Sequence, residues 1–69
     1  MDATVLAKNL TVGMTIIPPQ FTTGFTVTGI FPYRPNHFET SYLRIAYRHP
    51  NGGPEREIVV PSDHPVRLA

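Results

Sequence analysis

The fold of this chain is decided by residues 41–60, which read SYLRIAYRHPNGGPEREIVV. In the first half, Ser41–Arg48, the apolar residues Leu43, Ile45 and Tyr47 alternate with polar or smaller ones. Successive side chains of a strand point to opposite faces, so this alternation indicates an antiparallel strand with one buried face. Leu43, Ile45 and Tyr47 are therefore predicted to face a core.

The second half of this stretch completes a hairpin. Asn51-Gly52 is the dipeptide that most strongly favours a tight turn between two strands. The return strand, Glu55–Val60, then brings Ile58 and Val60 to the same buried face as the apolar residues of the first strand. Residues 41–60 thus predict two paired antiparallel strands.

The rest of the chain carries the same kind of signal. Eight prolines and five glycines separate its apolar runs, which is typical of short strands joined by tight turns. Gly13 is expected to supply a positive φ or a close backbone approach. A strand is expected over Gly24–Phe31, with a bulge at Gly29 that would let Ile30 and Phe31 both be partly buried, and a short closing strand over Val66–Leu68. A sheet this small hides its edges by closing on itself. The prediction is one all-β domain over residues 1–69, a small SH3-like barrel of five or six antiparallel strands with tight turns.

Size and composition limit the function classes. A domain of 69 residues has a thin core, and it has no cysteine for a disulfide or a cysteine-ligated zinc. Association with a partner or a second copy is the remaining way to add stability. The formal net charge is only +1, although five of the six cations are arginine. No secretion signal or apolar run of membrane-spanning length is visible, so a cytoplasmic protein without membrane contact is expected.

The opening of the chain resembles a known group of barrels. Lys8–Ile16, read as KNLTVGMTI, is similar to the first strand and turn of the first domain of the elongation factor P family. It also resembles small SH3-like barrel proteins of actinobacteria and their phages, and Phe25–Ile30 is similar to their second strand. The resemblance implies a fold, and a phage or bacterial accessory protein. It implies no functional residue, since the modified lysine of the elongation factor lies in a loop and the only lysine here is Lys8.

No set of residues predicts catalysis. Ser62-Asp63-His64 contains the residue types of a hydrolytic triad, but consecutive residues do not converge in space, so a turn is the preferred interpretation. The three histidines, at positions 37, 49 and 64, lack the close spacing of a zinc site. The chain is therefore expected not to be an enzyme and to need no cofactor, metal or small-molecule substrate.

The candidate site is a surface of aromatic and basic residues on the hairpin strand and on a predicted loop that begins at Pro32. Such a surface suits a protein partner, or a nucleic acid through base stacking and phosphate contacts. The alternative is a solvated face, because Glu55 and Glu57 are expected near Arg48 and Arg44 across the hairpin. The candidate residues are Tyr33, Arg34, His37, Phe38, Tyr42, Arg44 and Arg48.

Two function classes follow from this surface. The preferred one is a small non-catalytic binding module that acts through protein–protein interaction or self-assembly, because the net charge is weak for nucleic acid. The second is a nucleic-acid-binding barrel that uses the arginine and aromatic face.

Overall fold

The strands of the structure follow the apolar alternation of the sequence. The computed structural model describes residues 3–33 and 41–69. One 3₁₀ turn, Ala7–Asn9, follows the first strand. The strands are β1 (Thr4–Leu6), β2 (Thr15–Ile17), β3 (Phe25–Tyr33), β4 (Tyr42–Arg48), β5 (Arg56–Pro61) and β6 (Pro65–Leu68).

All six strands pair antiparallel in the order β1-β6-β2-β3-β4-β5. β1 and β5 end this order, and one backbone hydrogen bond joins the segments that directly follow them. The N–H of Lys8, just after β1, donates to the carbonyl of Ser62, just after β5, at 2.8 Å. The result is the predicted small β-barrel, curled enough to be closed near Ser62.

The barrel interior is apolar, as the alternation predicts. Ile16, Val27 and Ile45 are fully buried, and Val60 and Val66 complete the cluster from the last two strands. No buried polar or charged side chain occurs among the described residues. Burial of apolar surface therefore accounts for the cohesion of this core.

Gly13 acts as the sequence indicates, whereas the bulge expected at Gly29 lies one residue earlier. Gly13 has a φ of 100°, which L side chains rarely adopt, and its N–H donates to the carbonyl of Val27 at 2.9 Å. In β3, Val27 pairs with Tyr47 while Gly29 pairs with Ala46. Thr28 is thus the unpaired residue of the expected bulge. The bulge sends Ile30 toward the core and Phe31 toward solvent.

The loop predicted to begin at Pro32 begins later. β3 continues through Pro32 and Tyr33, which pair with Leu43 and Tyr42. β2 pairs with β3 only at Phe25 and Thr26, so β3 has no second neighbour near Pro32 in the described part of the chain. Proline is tolerated at edge positions of a sheet such as this one.

Between β5 and β6 the chain makes one tight turn. The N–H of His64 donates to the carbonyl of Pro61 at 3.0 Å. Within residues 3–33 and 41–69, no helix has the length and apolar character needed to cross a bilayer.

Candidate functional site

The candidate site lies on the solvent side of strands β3, β4 and β5, which we call the outer face. The strand register sets its cross-strand rows. Phe31 lies opposite Arg44, which lies opposite Val59, and Tyr33, Tyr42 and Pro61 form the next row. On the same face, the row on the other side of Phe31 consists of Gly29, Ala46 and Glu57. Each row contributes side chains from three strands to one surface.

Phe31 lies at the centre of this face, and its ring packs against the backbone of Gly29. A Cβ atom on Gly29 would lie 2.8 and 2.9 Å from the Cε2 and Cζ atoms of Phe31. The missing side chain therefore leaves the space that the ring occupies over Gly29. The guanidinium of Arg44 covers the ring from the neighbouring strand, with its Cζ atom 5.1 Å from the ring centroid. This distance is within the range of a cation–π contact.

Arg44 is also held by an ion pair. Its Nε atom lies 3.2 Å from Oε2 of Glu57, and both side chains are about half exposed. The predicted cross-strand pairing of Arg44 with Glu57 is confirmed. An exposed pair of this kind contributes only about 0–1 kcal/mol to stability, but it orients Arg44 over Phe31 and offsets its charge.

The second predicted ion pair is not formed. The hydroxyl of Thr28 donates to Oε2 of Glu55 at 2.8 Å. The bulge that leaves Thr28 without a strand partner therefore supplies the donor for Glu55, in place of Arg48. Among residues 3–33 and 41–69, Arg48 has no ion-pair partner. It is the exposed cation of the outer face whose charge is not offset by an ion pair in that part of the chain.

The structure brings part of the predicted site together. Tyr33, Tyr42, Arg44 and Arg48 lie on the outer face. Arg34, His37 and Phe38 lie outside the described residues.

Sequence reasoning missed Phe31 and Val59 as members of this site. The signal for Val59 was available, because it lies between two inward-facing residues and must point outward. Predicting that Phe31 points outward required placing the bulge at Thr28, one residue before Gly29.

Ser62-Asp63-His64 forms backbone hydrogen bonds with the segment that follows β1. The carbonyls of Ser62 and His64 accept from the N–H groups of Lys8 and Ala7, at 2.8 and 2.9 Å, and fasten the end of β1. No group of three His, Asp or Glu side chains that could hold a metal ion occurs in the described ranges.

Comparison with known proteins supports the fold. No protein-family model and no curated protein matches this chain. A translation initiation factor eIF-5A family protein from Naegleria fowleri is similar in structure, with a TM-score of 0.77 and 16% identity. Eukaryotic translation initiation factor 5A from Methanococcus jannaschii is similar with a TM-score of 0.76 and 16% identity. The matches cover 97% of this chain and 46% and 49% of those chains.

These matches confirm the class of fold, a small antiparallel β-barrel of the SH3-like kind. The chain spans about half the length of the two translation factors. At 16% identity the likeness is one of fold alone. It agrees with the resemblance of the opening residues to a translation factor domain, and neither matched protein is from an actinobacterium or a phage.

Proposed function

We propose that this barrel is a small non-catalytic binding module whose outer face associates with a protein surface, in the first place a second copy of the chain. The observation that carries the proposal is the position of its exposed large apolar side chains. Of the four in the described residues, Phe31, Tyr33 and Val59 lie on the outer face, at 44%, 40% and 46% exposure. The fourth, Val12, is 64% exposed and lies in the turn before β2. Exposed apolar side chains gathered on one face mark interaction sites.

The charge of the outer face suits pairing with an identical face. It carries two arginines, Arg44 and Arg48, and two glutamates, Glu55 and Glu57; of the arginines, Arg44 is ion-paired and, within residues 3–33 and 41–69, Arg48 is not. In a two-fold dimer each face meets itself, so a face of one sign would repel its copy. A face with an apolar centre and both charges around it has no such penalty.

The size of the face predicts a weak association. Three strands about 4.8 Å apart, each presenting about 20 Å of length, give a contact smaller than the ~800 Å² per partner of a standard interface. We therefore expect a dissociation constant between about 10 μM and about 1 mM.

Sedimentation velocity at rising protein concentration tests this proposal. The weight-average sedimentation coefficient of the wild type is expected to rise between about 10 μM and about 1 mM. Val59→Asp places a charge in the apolar centre and is expected to weaken association at least about tenfold, a change of about 1.4 kcal/mol. Val12→Asp is the matched control, since it adds the same charge at an exposed valine away from β3–β5. A wild type that stays monomeric throughout, or equal losses in the two variants, would contradict the proposal.

Nucleic-acid binding is the second candidate, and two observations favour it. The similar structures are named as translation initiation factors. On the outer face, Arg48 and the exposed rings of Phe31 and Tyr33 provide a cation and stacking surfaces. Aromatic rings beside arginines bind single strands by stacking and phosphate contact.

A titration with single- and double-stranded RNA and DNA at low salt tests this candidate. If it holds, binding weakens as salt is raised, because phosphate contacts release counterions. Arg48→Glu is then expected to weaken binding several-fold, while Arg67→Glu on β6 changes it less. Absence of salt-sensitive binding at several hundred micromolar protein would exclude it.

A role as a bacterial or phage accessory protein, and a cytoplasmic location, stay predictions. The first rests on the opening motif, and the second is supported by the names of the similar structures.

A further inference from the structure

A second surface lies at the end of the barrel where β5 begins. Two adjoining cavities of about 370 and about 210 Å³ share Pro19 and Ile58 as walls. Together they form what we call the β5-edge groove. The larger cavity is further lined by Gln20, Phe21, Tyr47, Arg56 and Glu57. The smaller is further lined by Ile17, His64, Pro65, Val66 and Arg67.

The larger cavity runs along the free edge of β5. Its walls include Arg56, Glu57 and Ile58, which are consecutive. The cavity borders three consecutive residues of β5 and the loop that carries Phe21, and it reaches Tyr47 of β4 on the inner face. Among the described strands, β5 pairs only with β4. The chain just after the end of β5 is held by the bond from Lys8 to Ser62. The beginning of β5, in contrast, borders the groove. The groove therefore borders unpaired strand backbone, a surface that accepts added strands.

The opposite wall of the larger cavity is held in place. The N–H of Phe21 donates to the carbonyl of Pro18 at 3.0 Å, which turns the loop between β2 and β3 back on itself. The ring of Phe21 contacts Phe25, with centroids 4.7 Å apart, and Phe25 in turn contacts Tyr47 at 5.3 Å. A wall anchored to the core in this way needs little reordering when a ligand binds.

The charge of the groove is positive. Glu57 is engaged by Arg44 on the outer face. Arg56 lies over the ring of Phe21, with its Cζ atom 5.4 Å from the centroid, and it has no ion-pair partner within residues 3–33 and 41–69. A ligand that brings a carboxylate to Arg56 would complete a charge pair beside an apolar cavity lined by Ile17 and Val66.

We propose that the β5-edge groove binds an extended, acidic segment of a partner protein as an added strand beside β5. The segment's backbone pairs with β5, an apolar side chain enters the smaller cavity and a carboxylate contacts Arg56. This site is separate from the outer face, and either can fail without the other.

An amide chemical-shift titration of the protein tests this site with two capped pentapeptides, EVIVE and KVIVK. The acidic peptide is expected to bind with a dissociation constant of about 0.1–1 mM, at least about fivefold more tightly than the basic one. Its shifts should map to Phe21, Arg56, Ile58 and Val66. Arg56→Glu should reverse the preference between the peptides, whereas the matched outer-face variant Arg48→Glu should keep it.

Two N-methylated forms of EVIVE test strand addition in the wild-type protein. Methyl groups on one alternate set of backbone nitrogens block the donors that face β5, and methyl groups on the other set do not. Loss of binding with only one form supports the added strand. Equal binding of both forms, equal affinity for EVIVE and KVIVK, or shifts confined to the outer face would overturn the proposal. Groove shifts that appear with rising protein concentration and no peptide would assign the groove to a second copy, and would overturn it too. Val59→Asp should leave peptide binding unchanged, which separates this result from that for the outer face.

Discussion

Replacing Ile45 with alanine is expected to lower the free energy of unfolding by about 2–5 kcal/mol. Ile45 is 0% exposed and lies at the centre of the core cluster. It pairs with Ile30 on β3 and Ile58 on β5, so its side chain fills the space between three strands. Alanine leaves a cavity that a barrel wall held by hydrogen bonds on both sides cannot fully close. The cost is the lost burial of the isoleucine together with this cavity.

The size of the domain makes this loss large in relative terms. At about 0.05–0.15 kcal/mol per residue, a chain of this length has a total stability of roughly 3–10 kcal/mol. Ile45→Ala should therefore remove about a fifth or more of it, which a urea unfolding curve monitored by tyrosine fluorescence would show as a lower midpoint. Val59→Ala on the adjacent strand is the control, because Val59 is half exposed and its truncation should change stability by less than about 0.5 kcal/mol. Similar midpoints for the two variants would show that the core is not where the structure places it.

Gly29→Ala is expected to destabilise the barrel by up to about 1 kcal/mol, because the new methyl group displaces the half-exposed ring of Phe31. The methyl group would lie 2.8 Å from ring carbon Cε2, closer than side-chain carbons approach one another. The alternative neighbour, the Cβ atom of Ala46, lies at an ordinary 3.8 Å. When the ring of Phe31 is displaced from Gly29, Arg44 also loses its cation–π contact with that ring.

A double-mutant cycle with Phe31→Ala isolates this contact. In the Phe31→Ala background the added methyl group meets no ring, so Gly29→Ala should cost nothing or stabilise slightly, since alanine is less flexible than glycine in the unfolded chain. The unfolding free energies of the four proteins give the coupling, which we expect to be about 0.5–1 kcal/mol. Additive effects of the two substitutions would mean that Phe31 does not rest on Gly29.

Much of the architecture follows from local patterns. The alternation in β4 predicted its buried face, and the turn at Asn51-Gly52 predicted its pairing with β5. Gly52 and Gly53 have φ values of 99° and 108° and lie in the loop that joins these strands. That loop runs from His49 to Glu55, so it is longer than the tight turn predicted at Asn51-Gly52. The buried face of β4 and its pairing with β5 were predictable because strand faces and turns depend on residues close together in the chain. The start of the loop after β3 was not, since it depends on where β2 stops pairing with β3.

In the candidate site, too, some features follow from local patterns and others depend on long-range contacts. That Arg44 points outward, and that Glu57 lies within reach of it, follow from alternation and hairpin register, both of which are local. That Glu55 bonds Thr28 instead of Arg48 depends on a residue 27 positions away in the chain. A long-range contact of this kind depends on the register between strands that are distant in sequence, which the bulge shifts by one residue.

The alternation of residues 41–60 was sufficient for an all-β chain with an inner and an outer side, because burial selects apolar residues at every second position. Only the tertiary structure decided what lies on the outer side and at the edge. The bulge at Thr28 turned Phe31 outward onto Gly29, beside Arg44 and Val59. The closure of the barrel near Ser62 left the beginning of β5 unpaired beside the loop that carries Phe21. Both outcomes depend on how β3 and β5 align with strands distant in sequence, and no local pattern encodes that alignment.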